Sequence, residues 1–294
     1  MTSAIKTGRI QMADFFNALA NPDLPFLRYA LIAGVLSSFA LGMAGTYVVT
    51  RRISYIAGAI AHSVLGGIGA ALFLQHKAGW AWFDPIIGAL IAAVFSAVVI
   101  GLVSMYARQR EDTVIGSIWA VGMAMGVLFI ARTPGYIDPM SYLFGNILLI
   151  SSTDLWLIIV LDAMVLGVGI IFYNKFLAIC FDEQFAKLRG INVTFYYLLL
   201  LIMVALTVVL MVMIVGIILV IALLTIPAAI SGMFSRQLWQ IMIFSTALCI
   251  FFTITGLGIS YNLDLPTGST IIILAGIVYL LILALSMIAR KRLS

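Results

Sequence analysis

Charge is scarce in this chain. Asp, Glu, Lys and Arg make up 9% of its 294 residues, where a soluble domain carries roughly 25%. Histidine and cysteine are scarcer still, at two each. Each shortage excludes something. Cys180 and Cys249, set beside or within apolar segments, supply neither a disulfide framework nor a cysteine-rich metal cluster. Two histidines leave little material for a Ser/His/Asp or Cys/His arrangement, and no catalytic residue stands out. No G-x-x-x-x-G-K-S/T phosphate loop is present, which excludes ATP hydrolysis by the P-loop route. If ATP drives this protein, another subunit must hydrolyse it. The opening stretch MTSAIKTGRIQMADFFNALANPDLPF has no apolar core before Pro25 and no small-residue cleavage site, which argues against a secretory signal.

What abounds is apolar surface. Hydrophobic residues reach 64% and mean hydropathy is +1.21, well outside the range of a soluble globule, whose apolar share is roughly 45–50%. The apolar runs are long enough to cross a bilayer core of about 30 Å as helices. They do not alternate polar and apolar residues, as strands of a membrane barrel would. The expected class is an all-α polytopic membrane protein, with lipid as its surroundings. Runs between polar breaks place nine spans near 29–50, 53–74, 84–106, 113–131, 155–174, 194–213, 214–231, 241–260 and 268–289. The sixth and seventh share one long run, divided near Gly216. Met140–Ile150, apolar but short, suits an interfacial or re-entrant piece. Residues 1–28 form an N-terminal interfacial segment with an amphipathic patch at Phe15, Phe16 and Leu19, and 29–294 form the transmembrane domain.

Basic residues orient these spans, because cytoplasmic loops carry the Lys/Arg excess. Arg51, Arg52, Arg108, Arg110, Lys175, Lys187, Arg189, Arg236, Arg290, Lys291 and Arg292 fall on one side, eleven of the sixteen. That side is read as cytoplasmic. The net charge of +5 comes from these flanks and implies no nucleic-acid partner. Against this background FDEQFAKLRGINV (Phe181–Val193) is a polar island on the cytoplasmic side. An acidic start and Gly190 at the end read as a short surface helix with a glycine stop. It is either a plain solvated loop or a contact with something in the cytoplasm.

Few ionisable groups fall inside the spans. His62 shares a helix face with Gly58, Gly66 and Ala70, and Ala59, Ser63 and Gly67 form the next stripe. So small a face lets another backbone approach closely, so His62 is expected to point into the bundle or a dimer interface rather than at lipid. It is either a buried histidine bonded to a carbonyl or an imidazole ligand on an ion path. Asp162, in LWLIIVLDAMVLG, either faces a cavity or is bonded inside the bundle. Asp264 in LDLPTG lies at an external turn, where Asp and Pro are ordinary turn residues. Glu111 and Asp112 suit the start of the helix near Thr113. The fourteen methionines are scattered through the spans and read as packing rather than ligands.

Four stretches carry a resemblance: TYVVTRRISYIAGAIAHSVLGGIGAALFL (Thr46–Leu74), REDTVIGSIWAVGMAMGVLF (Arg110–Phe129), YLFGNILLISSTDLW (Tyr142–Trp156), and FDEQFAKLRG through LLTIPAAISG to YNLDLPTGSTIIILAG (Phe181–Gly276). In this order and spacing the chain resembles the membrane subunit of bacterial ABC importers for zinc, manganese or iron. The resemblance implies a multi-pass permease of the bacterial inner membrane, a homodimer with eight or nine helices per subunit. It implies two cytoplasmic ATP-binding subunits and an extracellular or periplasmic metal-binding protein as partners. No cofactor is implied, the metal ion being cargo.

By the same resemblance, Phe181–Gly190 is the coupling helix that docks on the ATPase, with Asp182, Glu183, Lys187 and Gly190 at the contact. His62 matches a histidine on the metal pathway, and Asp264 becomes an entrance candidate. The chain departs from the family pattern at Gly58, where an aspartate is common. Losing a hard oxygen ligand weakens manganese relative to zinc, so the expected order is zinc, then manganese or iron. Asp162 is a candidate substitute acid. Two alternatives remain: import of a metal chelate or small solute by the same kind of machine, and a secondary metal transporter or channel that needs no ATPase.

Overall fold

The computed structural model describes residues 12–21, 24–80, 82–106, 111–134, 143 and 150–293. Among them the regular elements are all helices. A short helix α1 (Met12–Ala20) leads into α2 (Pro25–Thr50), α3 (Ser54–Ala78), α4 (Pro85–Tyr106), α5 (Glu111–Arg132) and α6 (Ser152–Ile171). Two short helices, α7 (Tyr173–Phe181) and α8 (Glu183–Leu188), follow. The chain then continues through α9 (Val193–Val215), α10 (Ile217–Phe234), α11 (Leu238–Leu263) and α12 (Thr267–Leu293). Nine of these helices are long and apolar enough to cross a membrane, matching the nine expected runs to within a few residues.

Local chemistry sets the ends. Pro25 stands in the first turn of α2, where its missing N–H costs nothing. Ser151 and Asp154 cap α6 reciprocally: the Asp154 N–H donates to the serine hydroxyl at 3.3 Å and the Ser151 N–H to the carboxylate at 2.8 Å. Gly216, at φ 84 and ψ 161, breaks the long run into α9 and α10. That backbone conformation is open to glycine and closed to nearly every other residue. α5 begins at Glu111, so Glu111 and Asp112 lie in its first turn, where acids favour the helix dipole. Of Met140–Ile150, only Leu143 and Ile150 are among the described residues, so the re-entrant piece lies outside them.

The bundle is built around α2 and α3. α3 packs on α4 and α5, and α2 packs on α6, α10 and α11. In the most apolar stretch of α3, 83% of residues are buried, against 17% in α5 and 11% in α12. α3 is therefore a central element and α12 a peripheral one. α1 packs one face on the bundle. Phe15 is fully buried with its ring 6.1 Å from Tyr261, while Phe16 stays exposed. Arg28 closes the end of α1 by donating to the Leu19 and Ala20 carbonyls at 2.6 and 2.8 Å.

The loops sort to two ends. One end gathers Arg51 and Arg52, the foot of α4 (Tyr106 to Thr194, 3.2 Å) and α8. The other gathers Phe26, Tyr261 and Asp264. The first of these is the end that the basic residues of the sequence assign to the cytoplasm.

Candidate functional site

The seam between α3 and α5 is tight because both helices are stripped of side chains along it. A methyl group on Gly66 would lie 2.8 Å from the Gly122 carbonyl oxygen, and one on Gly122 would lie 2.6 Å from the Ser63 Cα. The two backbones therefore touch, as small-residue membrane seams allow. His62 sits in this seam at 9% exposure, its ring stacked on Trp119 of α5 at 4.5 Å and 20°. Its Nδ1 is buried and has no hydrogen-bond partner. An imidazole nitrogen without a partner inside a protein is unusual. The carbonyl-bonded histidine weighed from sequence is therefore not what the fold contains at Nδ1.

Trp119 also accounts for Gly58. A methyl group placed on Gly58 would stand 2.9 Å from an indole carbon of Trp119. The indole thus occupies the space that a side chain at position 58 would need, and it covers His62 from the same direction. No signal in the α3 sequence indicates this, because the filling residue lies on another helix. Flanking the seam, on the side towards α4, is an apolar cavity of about 450 Å³ lined by Ser63, Gly67, Ile91, Phe95, Val121 and Met125 among others.

The other two candidates lie elsewhere. Asp162 is 6% exposed and falls on the buried stripe of α6 with Ile158 and Val165, facing α2. Both carboxylate oxygens lack a hydrogen-bond partner. The backbone of Ala40 on α2 is close by, but that amide belongs to its own helix. His62 is thus in the α3–α5 seam and Asp162 in the α2–α6 seam. Asp264 is exposed at the end of α11, in a left-handed conformation at φ 54, which is the turn chemistry open to Asp. Among the described residues no three His, Cys, Asp or Glu side chains come together to hold a metal ion.

The polar island folds as a short helix with a glycine stop. The Asp182 carboxylate caps α8 by accepting from the Phe185 N–H at 2.8 Å, and Gly190 turns the chain at φ 74. Glu183 pairs with Lys187 at 3.1 Å and with Arg51, at the end of α2, at 2.8 Å. Chiefly through the Arg51 hydrogen bond, the Glu183 carboxyl is held below its ordinary value of 4.5, against partial burial that pushes it up. All four residues assigned to the contact are thus used in building or bracing α8. The large apolar side chains it leaves exposed are Leu188 at 88% and Phe185 at 48%. Sequence reasoning passed over both. Their three-residue spacing on one face of a polar helix was the signal.

Residues 23–286 match the ABC 3 transport family. A Chlamydia pneumoniae protein named "Probable metal transport system membrane protein" is 40% identical over 249 residues, covering 84% of this chain and 85% of the relative. The manganese transport system membrane protein MntC of Listeria innocua is 31% identical over 254 residues, covering 86% of this chain and 88% of its own. Among solved structures, PsaBC from Streptococcus pneumoniae in complex with Fab superposes with a TM-score of 0.81 at 29% identity. The match covers 92% of this chain and 95% of that one.

Proposed function

The chain belongs to the ABC 3 transport family and is a multi-pass permease subunit of the bacterial cell membrane; on that footing we propose that it conducts divalent transition-metal ions into the cell. The observation that carries this is the full-length likeness to metal-transport permeases, joined to a short capped helix on the basic end of the bundle. A homodimer of this chain forms the path. Two ATP-binding subunits dock on α8, gripping Phe185 and Leu188, and an external metal-binding protein delivers the ion. The chain hydrolyses no ATP itself.

Manganese is the first cargo to test, because relatives similar to this chain in Listeria innocua and Streptococcus gordonii are named for manganese. Zinc, placed first from sequence, remains the second reading on a specific observation: His62 offers an imidazole with no carboxylate beside it at position 58. His62 is the proposed ion-contacting side chain. Asp162 is held as a structural acid of another seam, and Asp264 as a turn residue near the external mouth.

The test is uptake by cells and by liposomes holding the purified complex. Manganese accumulation should depend on ATP and on the ATPase subunit. Uptake that persists after every partner ATPase is removed would instead make the protein a secondary transporter or channel. Metal content of cells lacking the gene, compared for manganese, zinc and iron, names the ion. A deficit in none of the three points to a chelate or a small organic solute.

A further inference from the structure

We infer that Arg51 is a positioning residue that ties the movement of α8 to the cytoplasmic foot of the ion path, an inference that rests on the reading of α8 as the ATPase contact. One guanidinium touches three elements at once. One terminal nitrogen donates to the Ile179 carbonyl of α7 at 2.6 Å, and the other donates to Glu183 of α8 at 2.8 Å. The guanidinium carbon also lies 5.3 Å from the centre of the Tyr197 ring on α9. An arginine fork is suited to this, because its planar donors hold two acceptors in one fixed geometry.

The backbone of Arg51 leads directly into the helix that carries His62. Arg51 caps α2, Arg52 turns at φ 62, and the Ile53 N–H donates back to Val48 at 2.9 Å. α3 starts at Ser54, so no flexible linker lies between the guanidinium and that helix. His62 stands roughly 12 Å up α3, at 1.5 Å per residue. Tyr55, seven residues below His62, shares its side of the helix. A polar cavity of about 220 Å³ opens there, lined by Arg51, Arg52, Tyr55, Ser104, Asp112 and Tyr197. An ion leaving His62 towards the cytoplasm meets this cavity.

A fixed positive charge in such a cavity opposes a divalent cation, the more so where water is limited. Glu183 partly neutralises that charge and anchors it to α8. When α8 is displaced, the guanidinium must either move with it, drawing on the α2–α3 turn, or surrender the Glu183 bond. Either way the foot of the path changes when α8 moves. A solvent-exposed ornament would not also be bonded to a main-chain carbonyl and set against an aromatic ring.

The experiment uses the complete complex with its ATPase in liposomes, with manganese inside and outside defined, and reads manganese delivered per ATP hydrolysed. Arg51→Gln should assemble with the ATPase and hydrolyse ATP, while manganese per ATP falls about tenfold, within the range of site-to-site couplings. Arg51→Lys, which keeps the charge but cannot span both acceptors, should fall between Gln and wild type. If both variants deliver as much manganese per ATP as wild type, the inference is overturned, however much total uptake drops. If Arg51→Gln does not assemble, Arg51→Lys decides by the same ratio: reduced supports, unchanged overturns. A Phe185→Asp/Leu188→Asp permease that still assembles with the ATPase removes the underlying reading of α8, a result separable from any behaviour of the Arg51 variants.

Discussion

The spans α3 and α6 each carry one buried ionisable residue, His62 at 9% exposure and Asp162 at 6%, yet they hold it in opposite ways. α3 is covered on both flanks by helices whose backbones it touches, and an aromatic ring lies flat on its histidine. α6 turns a single stripe towards α2 and shows the rest outward, with Trp156, Val160 and Ile171 exposed. Equal burial therefore does not mean equal role. On the proposed reading, the small residues and the aromatic ring beside His62 suit a contact that an ion can make and leave. The Asp162 carboxylate lies between α6 and α2 with neither oxygen bonded.

The contrast can be broken most forcefully at the backbone seam. Gly122→Leu should destabilise the protein by about 1–3 kcal/mol or more, because the new side chain meets the α3 main chain rather than a flexible neighbour. On the outward face of α6, Val160→Leu should leave the thermal midpoint unchanged in the same detergent. Equal losses in both would mean that α3 is no more tightly held than α6.

His62→Ala is expected to lower metal uptake by about tenfold or more while dimer and ATPase assembly survive, a size typical of losing support at a metal site. Normal manganese, zinc and iron accumulation in that variant would remove His62 from the path. Gly58→Asp should be poorly tolerated alone, since Trp119 fills the space. Combined with Trp119→Ala it should recover expression and shift the uptake ratio towards manganese, as a hard oxygen donor would; an unchanged ratio would separate Gly58 from selectivity.

Asp162→Asn is a smaller perturbation. Uptake should stay within about twofold and stability should hold or rise, because a buried carboxyl group without a partner is a burden rather than a support. A change in metal preference would make Asp162 a ligand after all. The smallest effect belongs to a carboxylate that does have partners. Arg51 lowers the Glu183 value below 4.5, so its contribution is complete above the unfolded value and is lost as pH falls through the lowered one. Permease stability should therefore show no Glu183 step between roughly pH 6 and 8, and below it a loss under about 1 kcal/mol, since the pair is partly exposed. Comparing wild type with Glu183→Gln in pH-dependent melting isolates that term.

Much of this architecture was legible in the residues because membrane helices are selected by length and apolarity, both local properties. Gly216 and Gly190 were readable for the same reason, since each breaks a run at a conformation other residues avoid. The small-residue face of α3 was visible as a four-residue repeat. Its partner was not. Trp119 meets His62 only because α5 folds back along α3, and Arg51 meets Glu183 across a separation of 132 residues. Periodicity within one helix carries no record of which helix will lie beside it. The outward pair Phe185 and Leu188 was overlooked because charge drew attention to their neighbours, which the fold spends on bracing α8.

The amino-acid sequence by itself determined that the chain is a multi-pass membrane protein, where the apolar runs lie that nine of the described helices fill, and where a short polar helix interrupts them. These follow from hydration: apolar lengths partition into lipid and charges stay in water, whatever the packing. Only the tertiary structure decided that Trp119 occupies the room beside Gly58, that His62 and Asp162 belong to different seams, and that Arg51 bridges α7, α8 and α9. Those are matters of which surfaces meet, and surfaces meet by shape complementarity among distant segments, which no single stretch of residues encodes.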